Sequence, residues 1–255
     1  MMEKNKIHNM DCIEGMKKIE SDSVDFIFTD PPYGVALDEK ANETIKTFRN
    51  STKNTIITSD WDKFEDYEKF CHNWISEAVR VLKPKGWICI WNDFRRIGTI
   101  QKVCESYGLR FADLFTWAKT NAPLGFPDGF TKACEFCLIF NKTSDNKDYK
   151  RYISKDIHRD FIIHSITADS ERREASYHPT VKPRTVLYPF IDKFSKKGDT
   201  VLDCFSGSGS IAVVCKEKER DFIAFELDKV YHEQSEKRLE NASNRVRKRL
   251  SEWMK

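Results

Sequence analysis

No stretch of this chain approaches the roughly 18 consecutive apolar residues that a membrane-spanning helix needs. The opening MMEKNKIHNMDC has no apolar core of the kind a secretory leader carries. A chain with neither is expected in the cytoplasm and away from membranes. Metal-ligating patterns are also scarce. CEFC at 134 to 137 spells a CxxC, but no second pair and no His pair stands at zinc spacing. It lies inside the strand-like run ACEFCLIF, where positions i and i+3 point to opposite faces, so the two thiols cannot share an ion. No metal is expected. The eight cysteines, Cys12, Cys71, Cys89, Cys104, Cys134, Cys137, Cys204 and Cys215, are scattered, several within apolar runs such as WICIW and VLDCF. They read as buried reduced thiols. There is no internal repeat and no low-complexity tract. Strong charge of one sign is missing as well: the net charge is +3, too little to demand a nucleic-acid partner. Its distribution is uneven. From 141 to 184 ten Lys/Arg face seven Asp/Glu, and from 229 to 255 eight face four, including NRVRKR. The tail reads as a solvated helix face, with a phosphate-contacting patch as the alternative.

What is there is a globular chain of 255 residues, 40% hydrophobic and 33% charged, which suits one large domain. Seven apolar runs read as buried strands: KIHNM, VDFIFTD, GWICIWN, LFTWAKT, ACEFCLIFN, DTVLDCF and DFIAFEL. Helical patterns separate most of them. FEDYEKFCHNWISEAVRVLKPKG is a long amphipathic helix stopped at Pro84 and Gly86. PRTVLYPFIDKFSKKG is a helix that Pro189 is expected to break or kink. Alternation of strands and helices implies an α/β fold with a largely parallel sheet. LFTWAKT and ACEFCLIFN have no helix between them and suggest an antiparallel hairpin at the sheet edge. Residues 34 to 59 and 141 to 177 fit no element and read as long irregular segments, functional or disordered.

Two stretches carry chemistry. VDFIFTDPPY is a strand that stops on an acid and two prolines, which supply no backbone donors and fix the chain direction. Alone it could be a rigid turn. VLDCFSGSGSIAVVCKEKERDFIAFELD is a strand, a tight glycine turn, a helix and a second strand ending on Glu226. The glycines let backbone approach a ligand, and the helix N-terminus offers amides and a partial positive charge. A carboxylate at Glu226 can accept both hydroxyls of a ribose. Gly207-x-Gly209-x-x-Ala212 followed by that acid matches a dinucleotide fingerprint. The pattern therefore leaves NAD and S-adenosylmethionine both open.

DPPY together with DCFSGSGS and HPTVKP resembles the amino-group DNA methyltransferases that use S-adenosylmethionine, and the order, DPPY before the glycine loop, is similar to their beta class. The resemblance covers roughly residues 7 to 240. It implies a Rossmann-like fold, circularly permuted, with a mostly parallel seven-stranded sheet and an antiparallel edge hairpin. The chain would be a single domain over 1–255, with a catalytic half over about 1–140, a target-recognition insert over about 141–177 and a cofactor-binding half over about 178–255. KIHNMDC would be the family's third strand and VDFIFTDPPY its fourth, with the first and second strands supplied last.

By the same resemblance, Asp30, Pro31, Pro32 and Tyr33 form the target-base pocket. The Asp30 carboxylate and the Pro31 carbonyl would accept the two hydrogens of an amino group, and Tyr33 would stack on the flipped base. Cofactor positions would be Asp11 and Cys12 near the adenine, with Asp30 at the pocket's edge. His178, Thr180, Lys182 and Pro183 come from HPTVKP, Lys182 and Pro183 near the methionine end. Asp203, Phe205, Ser206, Gly207, Ser208, Gly209 and Ser210 would cover the amino-acid part, and Glu226 the ribose, with Leu227 a further cofactor position beside it. Cys204 stands where the family commonly has Pro, and Ser210 where it often has Thr. Asp rather than Ser at position 30 favours adenine N6 over cytosine N4. Residues 34 to 59 would close over the base. The implied partners are double-stranded DNA, with room for a homodimer and a cognate restriction endonuclease. An RNA or protein methyltransferase and a catalytically silent DNA-binding subunit are the readings to test against these.

Overall fold

A computed structural model of the chain describes residues 2–34, 62, 64–122, 130, 132–143 and 159–253, the last helix with side chains up to 242. Among the described residues eight strands form one sheet: β1 (Lys6–Asn9), β2 (Val24–Thr29), β3 (Leu82–Asn92), β4 (Arg110–Lys119), β5 (Cys134–Asn141), β6 (Phe161–His164), β7 (Thr200–Asp203) and β8 (Asp221–Glu226). Their spatial order is β1-β8-β7-β2-β3-β5-β4-β6. The helices are α1 (Cys12–Met16), α2 (Tyr67–Val81), α3 (Ile97–Ser106), α4 (Asp169–Glu174), α5 (Arg184–Phe194), α6 (Ser210–Glu217) and α7 (Lys229–Trp253). Among the described residues no helix is long and apolar enough to cross a membrane.

The order confirms the permutation. The chain enters at β1, crosses to the sheet's centre at β2, and supplies the neighbouring strands β7 and β8 last. Two expectations need correction. The sheet has eight strands rather than seven, because β6 pairs parallel to β4 outside it. The antiparallel pair β4–β5 is present but not at the rim: β5 lies between β3 and β4, antiparallel to both. FIIH at 161 to 164 holds only three apolar residues, between Asp160 and His164, and its brevity hid it in the segment read as irregular. That segment also holds α4. Residues 144–158 and most of the 34–59 segment lie outside the described residues.

Central strands are buried on both faces, which is why VDFIFT reads as a continuous apolar run. Alternate residues feed two cores. Phe26, Phe28 and Val201 meet Phe190, Ile191 and Val214 on the α5–α6–α7 side. Ile27, Ile90 and Leu202 meet Trp74, Ile75 and Met16 on the α1–α2–α3 side. Each such side chain contributes about 1.5–3 kcal/mol on burial. Helix α2 forms because Asp66 caps it, accepting from the Lys69 amide at 2.9 Å, and because Tyr67, Cys71, Trp74, Ile75, Ala78 and Val81 share its buried face. It ends at Val81, and residues 83–86 bulge between the pairs Val24↔Leu82 and Phe26↔Trp87. Pro189 does not break α5, which runs through it as one helix. Burial of Val186, Leu187, Phe190, Ile191 and Phe194 outweighs a cost of about 3 kcal/mol for the missing donor.

Candidate active site

β2 and β7 are parallel neighbours, with Ile27 level with Leu202. From β7 the chain crosses to β8 on one side, and from β2 to β3 on the other. The crevice at the carboxyl ends of such a diverging pair is where open α/β sheets bind ligands. Both motifs sit there, DPPY after β2 and the glycine loop after β7. The Thr29 hydroxyl donates to Asp203 Oδ1 at 3.0 Å and accepts from the Cys204 amide at 3.1 Å, joining the two strand ends.

The DPPY turn is held from outside. Tyr67 donates its hydroxyl to the Pro32 carbonyl at 3.0 Å, and Asn92 donates to that hydroxyl at 3.0 Å. Arg96 donates Nε to the Tyr33 carbonyl at 3.1 Å and Nη2 to the Gly34 carbonyl at 2.6 Å, its guanidinium 4.5 Å from the Tyr67 ring centroid. The Gly34 amide donates to Asp62 Oδ1 at 2.7 Å. Among the described residues the Pro31 carbonyl accepts nothing, the one carbonyl of Pro31, Pro32, Tyr33 and Gly34 left open.

Beside it lies a cluster of charges. Asp30 Oδ1 accepts from the Tyr33 hydroxyl at 2.7 Å, and Oδ2 from Lys182 Nζ. Lys182 Nζ also contacts the Tyr33 hydroxyl at 3.1 Å and Glu135 Oε2 at 3.2 Å, and Glu135 Oε1 is bound by Lys119 Nζ. Burial would lower the Lys182 ammonium, but the Asp30 and Glu135 carboxylates outweigh it and hold it above the usual lysine value. Burial pushes the Asp30 carboxyl up, with Lys182 opposing. Burial would also raise Glu135, but Lys182 and Lys119 hold it below the ordinary range. Burial and the facing Asp30 raise the Tyr33 phenol well above its usual value.

The glycine loop is held from within. Gly207 and Gly209 have φ of +50° and +72°, where L side chains are disfavoured. A Cβ at Gly207 would stand 3.2 Å from His178 Cε1, and one at Gly209 3.1 Å from Ser235 Cβ. Glu226 Oε2 accepts from the Gly207 amide at 2.7 Å and Oε1 from the Asp228 amide at 2.9 Å. Asp203 Oδ2 and Ser206 Oγ are buried without a hydrogen-bond partner among the described residues. Burial lifts the Asp203 carboxyl to about 7, against the Phe205 amide and the Thr29 hydroxyl. Two orphaned polar atoms beside a glycine cradle fit the polar amino-acid end of a ligand whose ribose reaches Glu226.

The other expected residues are placed as follows. Asp11 caps α1, accepting from the Ile13 amide at 2.9 Å and the Glu14 amide at 3.2 Å, and Cys12 is buried behind it. Asn9, level with Glu226 across β1 and β8, donates to the carbonyls of Glu226 and Leu227. Leu227 leaves its apolar side chain 70% exposed at that rim. His178 is buried under Gly207, and burial with Arg238 nearby lowers it to about 4, so it is a neutral wedge. Thr180 is exposed, its amide donated to His178 Nδ1 at 3.3 Å. Pro183 is the N-cap of α5. Phe205 packs edge-on to Trp74. The hydroxyls of Ser208 and Ser210 are turned inward to Arg238.

Four residues of this site carried no readable signal: Glu135, Lys119, Tyr67 and Arg96. Arg238 did carry one. Read as part of a solvated face, it is fully buried, donating to the Ser208 carbonyl at 2.9 Å and the Ser210 hydroxyl at 2.8 Å. Ser235, Arg238, Leu239 and Ala242 share one buried helix face, a pattern visible in the sequence. On β5, Cys134 is exposed and Cys137 buried, and among the described residues no His/Cys/Asp/Glu group is arranged to hold a metal.

Comparison with known proteins follows the same lines. Residues 24–237 match the DNA methylase family of N6 and N4 enzymes. The chain is 32% identical over 253 residues to the type II methyltransferase M.HinfI of Haemophilus influenzae, covering 92% of this chain and 68% of that protein. It is also 32% identical over 253 residues to M2.DpnII of Streptococcus pneumoniae, covering 93% and 91%. Among solved structures, the M1.HpyAVI complex with S-adenosylmethionine superposes with a TM-score of 0.66 at 25% identity, covering 92% and 98% of the two chains. The cytosine-N4-specific PvuII methyltransferase shares the fold at a TM-score of 0.69 and 16% identity.

Proposed function

The chain belongs to the DNA methylase family, and from that premise we propose that it transfers a methyl group from S-adenosylmethionine to the N6 amino group of an adenine flipped out of double-stranded DNA. The observation that carries the adenine pocket is the pairing of Asp30 with the open Pro31 carbonyl on one rigid turn, beside Asp203 at the diverging strand pair.

An exocyclic amino nitrogen is a poor nucleophile because its lone pair is delocalised into the ring. Two acceptors that bind both of its hydrogens favour a pyramidal nitrogen and aim the lone pair. The Asp30 carboxylate and the Pro31 carbonyl are two such acceptors on consecutive residues, and the clamps on Pro32, Tyr33 and Gly34 fix their direction. Orientation of this kind is a large part of the acceleration in a displacement reaction. The Tyr33 ring lies beside Asp30 as a platform for the base. Asp30 is also the nearest group to take up the proton the amino nitrogen sheds.

S-adenosylmethionine supplies an activated methyl on a sulfonium. The Asp203 Oδ2 and Ser206 Oγ atoms fit its amino-acid end, Glu226 its ribose, and Asn9, Asp11 and Leu227 frame the place of its adenine. The insert over about 141–177, now including β6 and α4, is the proposed target-recognition region. A homodimer and a cognate restriction endonuclease are proposed by the same reasoning.

Expression in cells that lack adenine methylation, followed by modification-sensitive sequencing, tests the assignment. N6-methyladenine at one recurring site is expected. N4-methylcytosine there, or unmodified DNA, overturns the adenine reading.

A further inference from the structure

We propose that Glu135 is a positioning residue that receives the Lys182 ammonium when a target amino group takes Asp30, so that the lysine can vacate the acceptor without losing a counter-charge. This rests on the amino-transfer reading above.

The argument starts from occupancy. Both oxygens of Asp30 are engaged, Oδ1 by the Tyr33 hydroxyl and Oδ2 by Lys182. An entering amino group finds the Pro31 carbonyl open but Asp30 taken. Lys182 therefore holds the place of the substrate, its own amino group bound to the same carboxylate. Each carboxylate oxygen can accept more than one donor, but the ammonium holds the stronger, charge-assisted bond, so alignment of the amino group on Oδ2 is favoured when the lysine leaves it.

Its exits are few. The Lys182 side chain is only 7% exposed, so there is no route to water without a larger movement. Its ammonium lies 5.1 Å from the Trp91 ring centroid and 5.7 Å from that of Tyr33. Ring faces tolerate a cation but do not neutralise it. Glu135 Oε2 is already 3.2 Å away, so a change in the terminal torsions of the lysine completes the exchange. Glu135 does not follow the lysine toward Asp30, because Lys119 binds its other oxygen and β5 fixes its backbone. The four groups, Asp30, Glu135, Lys119 and Lys182, sum to zero charge. Entry of a neutral amino group preserves that balance only while Glu135 is there. Without it, an arriving base would strip a buried ammonium of its remaining counter-charge, which is strongly unfavourable.

The test compares Glu135→Gln, Lys182→Met and the double variant in transfer of labelled methyl to DNA bearing the recognised site. Melting temperature and calorimetric cofactor affinity are measured alongside. Glu135→Gln is expected to lower kcat by roughly a hundredfold, as misplacement at a reacting centre does, with cofactor affinity close to wild type. The double variant is expected to be less impaired than the product of the two single effects, because removing the lysine frees Asp30. Glu135→Asp keeps the charge and is expected to retain more activity than Glu135→Gln at equal stability, which also covers a Gln variant that folds poorly. Wild-type kcat in Glu135→Gln, simple multiplication of the single effects, or equal loss in the Asp and Gln variants each overturns the proposal. A wild-type chain that transfers no methyl to any DNA counts instead against the functional reading beneath it.

Discussion

The turn after β2 and the loop after β7 lie side by side, yet they are held in opposite ways. The DPPY turn is clamped by side chains from α2, β3 and the start of α3, and its acid is met by Lys182, 152 residues further along the chain. The glycine loop keeps its shape mainly through its own positive φ angles and through Glu226 at the end of the next strand, with Arg238 of α7 bracing its serines from behind. In the proposed function one is a charged site whose acceptors must be aimed. The other is a cradle whose backbone must come close to a ligand. Aiming needs distant supports, while close approach needs small residues in local sequence.

Four substitutions bear on that contrast. Asp30→Ala removes an acceptor and leaves the cradle intact. Methyl transfer should fall by about a thousandfold or more, while cofactor binding by calorimetry stays close to wild type. Near-normal incorporation of labelled methyl would end the role assigned to Asp30.

Asp203 joins the two regions, and its effect is read through pH. Its folded value of about 7 lies above its ordinary 3.8, so the folded chain holds an extra proton between those values. Ionised Asp203 therefore weakens the fold above pH 7, and the penalty fades as pH falls toward 3.8. His178, lowered from 6.5 to about 4, acts in the opposite sense below 6.5, so the readout is the difference from Asp203→Asn. In urea denaturation that variant should gain stability above pH 7 and lose the advantage near pH 4. Between those limits the gap between the two proteins should change by about 1.4 kcal/mol for each step of one in pH. Parallel pH profiles for the two proteins would count against a raised Asp203.

Gly209→Ala strains the cradle alone. A left-handed φ with a side chain costs about 1–2 kcal/mol, and the added Cβ meets Ser235. Cofactor affinity should drop roughly tenfold, with kcat at saturating cofactor little changed. A loss confined to kcat would mean the loop's shape matters to the reacting turn as well. Tyr67→Phe should give the smallest effect. It removes two hydrogen bonds, one donated to Pro32 and one accepted from Asn92, each worth about 1 kcal/mol, so kcat should fall several-fold at unchanged cofactor affinity. A larger loss of cofactor affinity than of kcat would show that the two supports are not separate.

Much of the site could be read in advance because its motifs are local. Asp30 to Tyr33 and Asp203 to Ser210 are contiguous runs, each at the end of an apolar strand. The place of Glu226 beside the glycine loop was legible because one helix and one strand set its distance from the glycines. Glu135 could not be found this way. It stands in CEFC, one residue past an exposed cysteine, and nothing nearby in sequence marks it as a partner of Lys182. Arg238 was hidden by composition: in a basic tail it looks like a solvated charge. Yet its spacing with Ser235, Leu239 and Ala242 shows a buried face. Strand β6 was missed because four residues are too few to display a period.

The α/β class was legible in apolar periodicity, and the two motifs in residue types whose local geometry is fixed, proline and glycine above all; the permuted order and the family came from the resemblance of those motifs to the amino-group DNA methyltransferases. Folding alone places β5 between β3 and β4, brings Arg96 and Tyr67 to clamp the DPPY turn, and sets Lys182 on Asp30 between Glu135 and Tyr33. The physical reason is separation along the chain: Lys182 lies 152 residues from Asp30. Such pairs leave no local periodicity or propensity to read. They are created when the sheet closes and excludes water, and the buried charges must then find one another.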